Sequence, residues 1–467
     1  MSKSNSNKFS RLSFLKKAGI TATAIAGAPF IFTKSKSKSS VIELEPKVPV
    51  NYAKNDHIQI ALIGAGKMGQ GDTRTALQVD GVKLVAACDL YDSRLKRCKE
   101  IFGDDIYTTR DYREVLDRDD VDAVIIATSD NWHDLISIDS LNKNKAVYVE
   151  KPMVHHIEQG AAVIRAEQNS NAPLIVGAQG TSSVLNEKAR DLVAEGAIGN
   201  IVFVEAYTDR YSHEGAWQYP IPPNASTDEI DWETYLKDLP YRPFDPKQFF
   251  WYRNYQDFGT GVAGDLFVHL FASIHQITRS IGPNRILATG GLRMWDDGRD
   301  VPDVHLGLFD YPETDTHPAF NVSLRVNFAD GSGGGSYMRY VGTEGEMLTR
   351  GGELIIRKSK LHDAPAMTNF GEFDETVRKE LEEHYNKIYP DPDPKVLDPE
   401  ELVYRSAHTV GTRQQHFINL FHSMRTGEKV FHDATYGLRS AAPALAANLS
   451  LFQNKVINWD PEQMKLI

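Results

Sequence analysis

The sequence predicts an α/β protein with an N-terminal Rossmann domain, a doubly wound parallel sheet, followed by a C-terminal α+β domain with a largely antiparallel open sheet. Three observations support this fold class. A strand pattern leads directly into a glycine-rich loop and a helix-compatible stretch near residue 64. Near-continuous apolar runs, typical of buried parallel strands, recur up to residue 149. Beyond residue 200, strand-like runs follow one another with short connections, which favours antiparallel pairing.

The composition is that of a globular protein with more than one domain. The chain has 467 residues, 41% hydrophobic and 25% charged, and at about 100–200 residues per domain we expect two or three domains. The formal net charge is −11, and the first 40 residues carry eight basic and no acidic side chains, so the remainder carries −19. A surface this acidic repels nucleic acid and anionic membranes, and we expect neither as a partner.

Residues 1–33 have the pattern of an export signal. A basic segment precedes an apolar, small-residue stretch at 18–32, which is shorter than the roughly 20 residues that span a bilayer, so we expect no stable membrane span. Residues 10–16 are similar to a twin-arginine signal, but Leu12 stands where the second arginine belongs. We expect export to the periplasm, with the twin-arginine route, ordinary secretion and an uncleaved anchor all open. Residues 34–55 are then a linker.

The two cysteines, Cys88 and Cys98, have no paired metal-ligand spacing. Cys88 ends an apolar run and Cys98 lies in the helix that should follow. We therefore expect two free, buried or half-buried thiols rather than a disulfide, and no metal site.

The glycine-rich loop is the first functional motif. Residues 57–63 form an apolar strand pattern, followed by G-A-G-K-M-G at 64–69. In this setting the motif indicates dinucleotide binding: the first glycine permits a tight turn, the second lets the backbone approach a pyrophosphate, and the third lets the helix pack on the strand. The helix N-terminus then faces the phosphates. The predicted cofactor contacts here are Gly64, Gly66, Lys67, Met68 and Gly69.

The next strand, 82–88, ends at Asp89, close to where a ribose-binding acid should follow the glycine loop. A carboxylate there accepts hydrogen bonds from the ribose hydroxyls and repels a 2′-phosphate, so the sequence favours NAD over NADP. Arg94 keeps NADP open as an alternative, and the other interpretation of Asp89 is a surface turn acid.

Two later strands lead to the same sheet edge, where ligands bind in such folds. The apolar run 121–127 opens into T-S-D-N-W-H at 128–133, and the strand 146–149 is followed by E-K-P at 150–152. We expect cofactor contacts from Thr128, Asn131, His133, Glu150 and Lys151.

Together these motifs resemble the Gfo/Idh/MocA family, which includes glucose-fructose oxidoreductase and inositol dehydrogenase. The second half agrees, because G-T-G-V-A-G-D-L-F-V-H at 259–269 is similar to the family's approach to an Asp-x-x-x-His helix, and G-T-E-G at 342–345 to its late sheet turn. The resemblance implies an NAD-binding domain at 56–178, a substrate-binding and oligomerisation domain at 179–467, a homo-oligomer, and oxidoreductase activity on a sugar, glycoside or polyol.

Two features depart from the family. Many members have an arginine where this chain reads Gln179-Gly180-Thr181, and the segment 212–255 is a long insertion rich in Trp, Tyr and Pro. Long irregular segments in compact domains are usually lids or binding loops.

The catalytic candidates are Lys151, Asp265 and His269. Oxidation of a secondary alcohol needs a general base for the hydroxyl proton, and Lys151 is the first candidate. Asp265 and His269 are four residues apart, so on a helix they share one face. The alternatives are a surface lysine, an N-cap aspartate and a packed histidine. The predicted substrate contacts are Lys151, Trp217, Trp251, Arg253, Asp265 and His269.

The remaining elements follow from periodicity. We expect a helix at 179–195, a strand at 201–209, a charged helix and loop at 367–398 and helices within 413–452. Further strands are predicted at 285–293, 305–310, 321–327, 334–341 and 353–357.

Two other functions stay open. One branch of the superfamily breaks glycosidic bonds by transient oxidation, elimination and rehydration with NAD, but it tends to lack the lysine of E-K-P that this chain retains. The third class is a non-catalytic sugar-binding protein on the same fold.

Overall fold

A computed structural model describes residues 40–46, 57–359, 369–389, 401–407 and 410–467, which belong to one compact unit. The predicted leader, 1–33, and most of the predicted linker, 34–55, lie outside these residues. The predicted division between residues 178 and 179 stays a prediction. Within the described ranges, no helix has the length and apolar character to cross a membrane.

The strands are numbered in chain order. They are β1 (Ser40–Leu44), β2 (Ile58–Ile63), β3 (Val82–Cys88), β4 (Tyr107–Thr109), β5 (Ala123–Ile126), β6 (Ala146–Val149), β7 (Leu174–Val176), β8 (Ile201–Asp209), β9 (Arg285–Gly291), β10 (Val304–Tyr311), β11 (Phe320–Asn327), β12 (Gly335–Gly342), β13 (Gly345–Arg350), β14 (Glu353–Lys358), β15 (Glu401–Ser406), β16 (Ile457–Asp460) and β17 (Lys465–Leu466).

The helices are numbered in the same way. They are α1 (Lys67–Ala76), α2 (Asp92–Phe102), α3 (Tyr112–Leu116), α4 (His133–Asn142), α5 (Gly160–Asn169), α6 (Val184–Ala194), α7 (Trp232–Leu236), α8 (Pro246–Phe250), α9 (Val268–Thr278), α10 (Glu375–Ile388), α11 (Thr412–Thr426) and α12 (Ala434–Gln453). A π-helical turn, Ala263–Phe267, leads directly into α9. Short 3₁₀ turns lie at Asp130–Trp132, Ile157–Gln159, Gln179–Ser182, Tyr252–Asn254 and Phe370–Glu372.

The first sheet confirms the Rossmann prediction. Its six strands run in the order β4-β3-β2-β5-β6-β7, and every neighbouring pair is parallel. All residues of β5 and β6 are buried, as expected for central strands covered on both faces. Their carboxyl ends therefore deliver the loops at 127–133 and 150–152 to one edge.

The second sheet confirms the largely antiparallel prediction. Its order is β1-β15-β14-β13-β12-β8-β11-β10-β9-β16-β17, and only β8 with β11 and β1 with β15 pair in parallel among these strands. Burial alternates along β10, with Leu306 and Leu308 exposed on the outer face at 41% and 55%. On the inner side, α12 contacts α9 and β9, so one face of the sheet is covered and the other is open.

Several boundaries differ from the predictions for local reasons. Residues 40–44, taken as linker, form an edge strand on β15, consistent with the β-branched pair Val41 and Ile42. The predicted helix 179–195 is a 3₁₀ turn and then α6, separated by Ser183, whose side chain caps α6. The helical region 413–452 divides at Gly427, which has φ 75° and ends α11 in the left-handed conformation.

The insertion 212–255 packs onto the Rossmann sheet. Its aromatic side chains form a buried cluster with Tyr91, which follows β3. Main-chain hydrogen bonds hold it there: Asp92 N–H donates to the Glu229 carbonyl at 3.0 Å, and Asp231 N–H donates to the Leu90 carbonyl at 2.9 Å. The insertion, which follows β8 of the second sheet in the chain, is therefore attached to the carboxyl edge of the first sheet.

Candidate functional site

A cavity of about 1160 Å³ lies at the carboxyl edge of the parallel sheet. The glycine loop, the E-K-P turn, the end of β8, the insertion and the π-helical turn all contribute to its lining. Ordinary ligand pockets occupy roughly 300–1,000 Å³. The volume of the cavity therefore allows a dinucleotide together with a second ligand.

The glycine loop forms a cradle at one end. Gly64 has φ 93°, and a Cβ there would lie 2.5 Å from the Ala127 carbonyl carbon, so only glycine fits this turn. At Gly66 the nearest atom to an added Cβ is Arg94 Cζ at 3.8 Å, which leaves the backbone open to the cavity. Lys67 and Met68 line the same wall. Gly69 lies outside the lining and packs beneath the turn.

Asp89 lies at the end of β3 and lines the cavity. It is 6% exposed. Its Oδ2 accepts a hydrogen bond from Ala65 N–H at 2.7 Å, and its Oδ1 accepts one from Tyr91 N–H at 3.0 Å. Arg94 Nη1 lies 3.4 Å from Asp89 Oδ2, and its guanidinium lies 5.1 Å from the ring centre of Phe249 in the insertion. The carboxylate is thus fixed beside the glycine loop, where a ribose would lie.

Of the predicted contacts on the next loop, Thr128 and His133 line the cavity and Asn131 does not. Asn131 Oδ1 accepts a hydrogen bond from Ser129 at 2.8 Å, and its carbonyl accepts one from Lys237 of the insertion, also at 2.8 Å. Asn131 therefore supports the loop. His133 Nδ1 lies 2.7 Å from the Pro152 carbonyl oxygen, which links this loop to the E-K-P turn.

Lys151 and Asp265 meet in the cavity wall. Lys151 Nζ donates a hydrogen bond to Asp265 Oδ1 at 2.7 Å, and Arg253 Nε donates to the same oxygen at 2.9 Å. Lys151 and Asp265 are each 5% exposed, so Lys151 is not a surface lysine. Burial alone would raise the pKa of Asp265, but Lys151 and Arg253 outweigh it and hold the pKa well below its usual range. Asp265 is therefore a carboxylate holding two cations.

His269 lines the cavity from the first turn of α9. Burial lowers its pKa to about 3, with a further contribution from the nearby Lys151 ammonium. The imidazole is therefore neutral near pH 7. Asp265 lies on the preceding π-helical turn rather than at an N-cap; such turns are frequent at functional sites. His275 is buried and lies 2.9 Å from the Tyr311 hydroxyl, as expected of a structural histidine.

Glu150 lines the cavity beside Lys151. Its Oε1 accepts hydrogen bonds from the Tyr148 hydroxyl at 3.0 Å and from Gln179 at 3.1 Å. Gln179, at the family's arginine position, thus contacts the E-K-P turn through its glutamate.

The insertion contributes part of the substrate side. Trp217 and Arg253 line the cavity, whereas Trp251 does not; its indole N–H donates to the Tyr219 carbonyl at 2.6 Å. Trp217 is buried with φ 62°, an uncommon conformation for a bulky residue. Glu214 forms an ion pair with Lys67 of the glycine loop, which brings the insertion across the cavity mouth.

Sequence reasoning missed several lining residues. Arg210 directly follows β8, a strand-end signal that could have identified it. Arg413 begins the C-terminal helical region, where nothing in the local sequence indicates the cavity. The missed residues include Arg210, Glu214, Tyr219, Tyr252 and Arg413. As for metals, the described part of the chain has no cluster of three or more His, Cys, Asp or Glu side chains suited to an ion, and Cys88 and Cys98 are buried and free.

The fold and the glycine cradle are those of a dinucleotide-binding Rossmann domain joined to a mostly antiparallel sheet. Residues 58–178 match the family model GFO_IDH_MocA, described as an oxidoreductase family with an NAD-binding Rossmann fold. The match covers the first sheet and the E-K-P turn. The match supports the Gfo/Idh/MocA resemblance over this part of the chain.

Solved structures share the fold over most of the chain. A levoglucosan dehydrogenase in complex with NADH aligns with TM-score 0.59 and 16% identity, covering 86% of this chain and 99% of that one. A scyllo-inositol dehydrogenase from Lactobacillus casei, with NAD(H) and scyllo-inositol, aligns with TM-score 0.57 and 18% identity over 86% and 99%. At these identities the similarity establishes the fold alone.

Curated relatives that the chain matches are named as glycosidases. An alpha-N-acetylgalactosaminidase from Shewanella oneidensis is 29% identical over 225 residues, which are 44% of this chain and 47% of the relative. A glycosyl hydrolase family 109 protein from Shewanella sp. is 28% identical over 225 residues, which are again 44% of this chain and 47% of the relative. The chain spans about half the length of the curated relatives it matches.

Proposed function

We propose that the protein is an NAD-dependent oxidoreductase that transfers a hydride between the nicotinamide and a secondary alcohol of a sugar, glycoside or polyol. The observation that carries this proposal is the buried Lys151–Asp265 pair, which lines the same cavity as the half-buried His269 and the glycine cradle. A hydride acceptor and a proton acceptor would then meet at one alcohol. This is the arrangement that alcohol oxidation requires.

The bound nicotinamide would supply the hydride acceptor, and this chain's residues handle the proton. A direct hydrogen bond to Asp265 holds Lys151 Nζ at a fixed position in the cavity wall. Lys151 is the first candidate for the hydroxyl proton in its neutral amine form; as an ammonium it would instead donate a hydrogen bond to the alcohol oxygen while His269 takes the proton. His269 is neutral near pH 7, so a ring nitrogen can accept that proton or pass it on.

The cofactor proposed is NAD rather than NADP. Asp89 is positioned to accept ribose hydrogen bonds, and its negative charge disfavours a 2′-phosphate. Arg94 is already engaged by Asp89 and the Phe249 ring, which reduces its availability to a phosphate.

A second candidate is NAD-dependent glycoside hydrolysis by oxidation, elimination and rehydration. The glycosidase relatives favour it, whereas the lysine in E-K-P favours the dehydrogenase. Aryl glycosides separate the two. A hydrolase releases the phenol with no net NADH, whereas a dehydrogenase forms NADH and leaves the glycosidic bond intact.

The localisation and the oligomeric state of the protein are also proposals. We propose export to the periplasm, and a homo-oligomer formed through the open face of the larger sheet, where Leu287, Leu306 and Leu308 are exposed. Because free NAD is scarce outside the cytoplasm, an exported enzyme would keep its cofactor and cycle it between two substrates. NAD retained through dialysis would support cycling, and rapid loss would contradict it.

The deciding experiment is an activity screen with the full chain. Sugars, glycosides, inositols and their keto forms are supplied with NAD or NADH, and absorbance at the reduced nicotinamide band is followed. Turnover of a sugar or polyol is expected. Binding of sugars without turnover, unaffected by loss of Lys151, Asp265 and His269, would instead indicate a non-catalytic binding protein.

A further inference from the structure

The substrate end of the cavity contains more cationic than anionic side chains. Lys151, Arg210 and Arg253 line it together with two carboxylates, Asp265 and Glu150. Asp265 Oδ1 already accepts hydrogen bonds from both Lys151 and Arg253. With Lys151 as an ammonium, these three cations outnumber the two carboxylates.

Arg210 is the cation without a carboxylate partner among the described residues. Its Nη1 donates to the Gly215 carbonyl at 3.2 Å, and its guanidinium lies 5.2 Å from the ring centre of Phe328. A guanidinium has five N–H donors in a planar fork. Most of these donors are therefore available to a ligand, while the ring and the carbonyl hold the side chain in place.

The other charges at this end largely balance. Glu214 pairs with Lys67 across the mouth. Arg413 Nε lies 3.6 Å from the buried Asp72. Burial, with the neighbouring Glu150, raises the pKa of Asp72 well above its usual value. These pairs leave the excess around Asp265 uncompensated.

The excess of positive charge also affects His269. Burial is the main cause of the low pKa of His269, and Lys151, Arg210 and Arg413 all lower it further, opposed by Asp265 alone. These three cations line the same cavity as His269. In a chain with net charge −11, such a concentration of positive charge favours an anionic ligand.

We infer that the substrate is an acidic sugar or polyol, carrying one carboxylate or sulfate ester that Arg210 binds beside Arg253. This inference rests on the proposed function and deepens it by naming a substrate class. A planar guanidinium fork matches the paired oxygens of either group.

The test compares matched neutral and acidic ligands on the full chain. Glucose with glucuronate, galactose with galacturonate, and glucose with glucose 6-sulfate are each tested by NADH formation and by calorimetric binding to the NADH-loaded protein. We expect at least one acidic ligand to be preferred by about tenfold or more, as one charged hydrogen-bonded pair contributes. The preference should weaken as salt is raised. A uronate preference identifies the group as a carboxylate, and a 6-sulfate preference identifies it as a sulfate ester.

Arg210→Gln keeps hydrogen-bonding capacity and removes the charge. We expect it to reduce the ratio of acidic to neutral binding about tenfold or more, with NADH affinity retained. The matched control is Arg285→Gln, an arginine on β9 with a 65% exposed side chain, paired with Asp310 and absent from the cavity lining; it should leave the ratio unchanged.

Two results would overturn the inference. In the first, the neutral and acidic ligands of every pair bind equally. In the second, Arg210→Gln weakens the binding of NADH as much as the binding of the acidic ligand, which would assign Arg210 to the cofactor site. The two proposals fail separately. Turnover of neutral sugars without an acidic preference overturns this inference and leaves the proposed function standing, whereas Arg210-dependent binding of a uronate without NADH formation on any sugar supports the inference and overturns the function.

Discussion

Lys151 Nζ lies 2.7 Å from Asp265 Oδ1, although 114 residues separate the two in sequence. Lys151 follows the last central strand of the parallel sheet, and Asp265 lies on the π-helical turn that leads into α9. The pair therefore exists only when both sheets are folded and packed on each other. Activity should depend on this contact more than cofactor binding does.

The first prediction concerns the proton-handling groups. Lys151→Ala and His269→Ala should each lower the oxidation rate by about 100-fold or more, the magnitude typical of general acid-base groups. NAD binding should be largely retained, because both side chains lie beyond the glycine cradle. Steady-state rates and NADH fluorescence titration measure the two effects, with the exposed Lys83→Ala as the control.

Near-normal rates in both variants would show that the proton leaves through another residue or water. Loss of NAD binding together with activity would instead make the two side chains supports of the cofactor pocket.

The second prediction concerns Asp265. Asp265→Asn leaves the buried Lys151 and the half-buried Arg253 without their carboxylate, and breaking a buried pair costs roughly 3–5 kcal/mol. Because the folded pKa of Asp265 is depressed, its contribution is complete above the unfolded pKa of about 4 and is lost only as pH falls below it. The stability difference from wild type should therefore be constant between pH 8 and 5, as measured by urea unfolding. A difference that shrinks within this range would assign the stabilisation to another group.

The third prediction concerns buried neutral histidines. Burial lowers the pKa of His275 to about 3 and those of His305 and His416 to about 4. A depressed folded pKa means that the unfolded chain binds more protons below about pH 6.5, so stability is lost as pH falls from there. The free energy of unfolding should therefore fall steeply between pH 6 and 5.

The slope tests this origin. Each such histidine contributes about 1.4 kcal/mol per pH unit in that range, so His305→Leu should make the fall shallower by about that amount. His384→Gln, at an exposed position of α10, is the control and should leave the slope unchanged. Equal slopes in all three proteins would mean that His305 is protonated in the folded state.

The fourth prediction concerns cofactor choice. Asp89→Ala should weaken NAD binding far more than NADP binding, because ribose hydrogen bonds and a repulsion are lost together. Since Asp89 also accepts hydrogen bonds from Ala65 and Tyr91, Asp89→Asn is the companion variant that retains an acceptor oxygen. Dissociation constants from NADH and NADPH fluorescence decide the matter, and equal losses for both cofactors would show that Asp89 is not the ribose acid.

The parts of the fold that local pattern determines could be predicted from the sequence. The predicted run 121–127 contains β5, and 82–88 is β3 to the residue, because central parallel strands are marked by apolar runs. The catalytic candidates came from motifs in a family setting. Arg210 carried a strand-end signal, whereas Arg413 could not be predicted from local pattern, since its place in the cavity depends on the packing of α11 against a distant sheet edge.

The way the insertion is attached has a consequence for protein engineering. Its tethers to residues 90 and 92 run through main-chain atoms of residues 229 and 231, and such bonds form with any side chain except where proline removes the N–H. Partly exposed positions of the insertion that line the cavity, such as Tyr219 and Pro220, can therefore be randomised in a library without breaking these tethers. Substrate range should then be evolvable separately from the scaffold, with selection acting on a handful of side chains over an unchanged backbone.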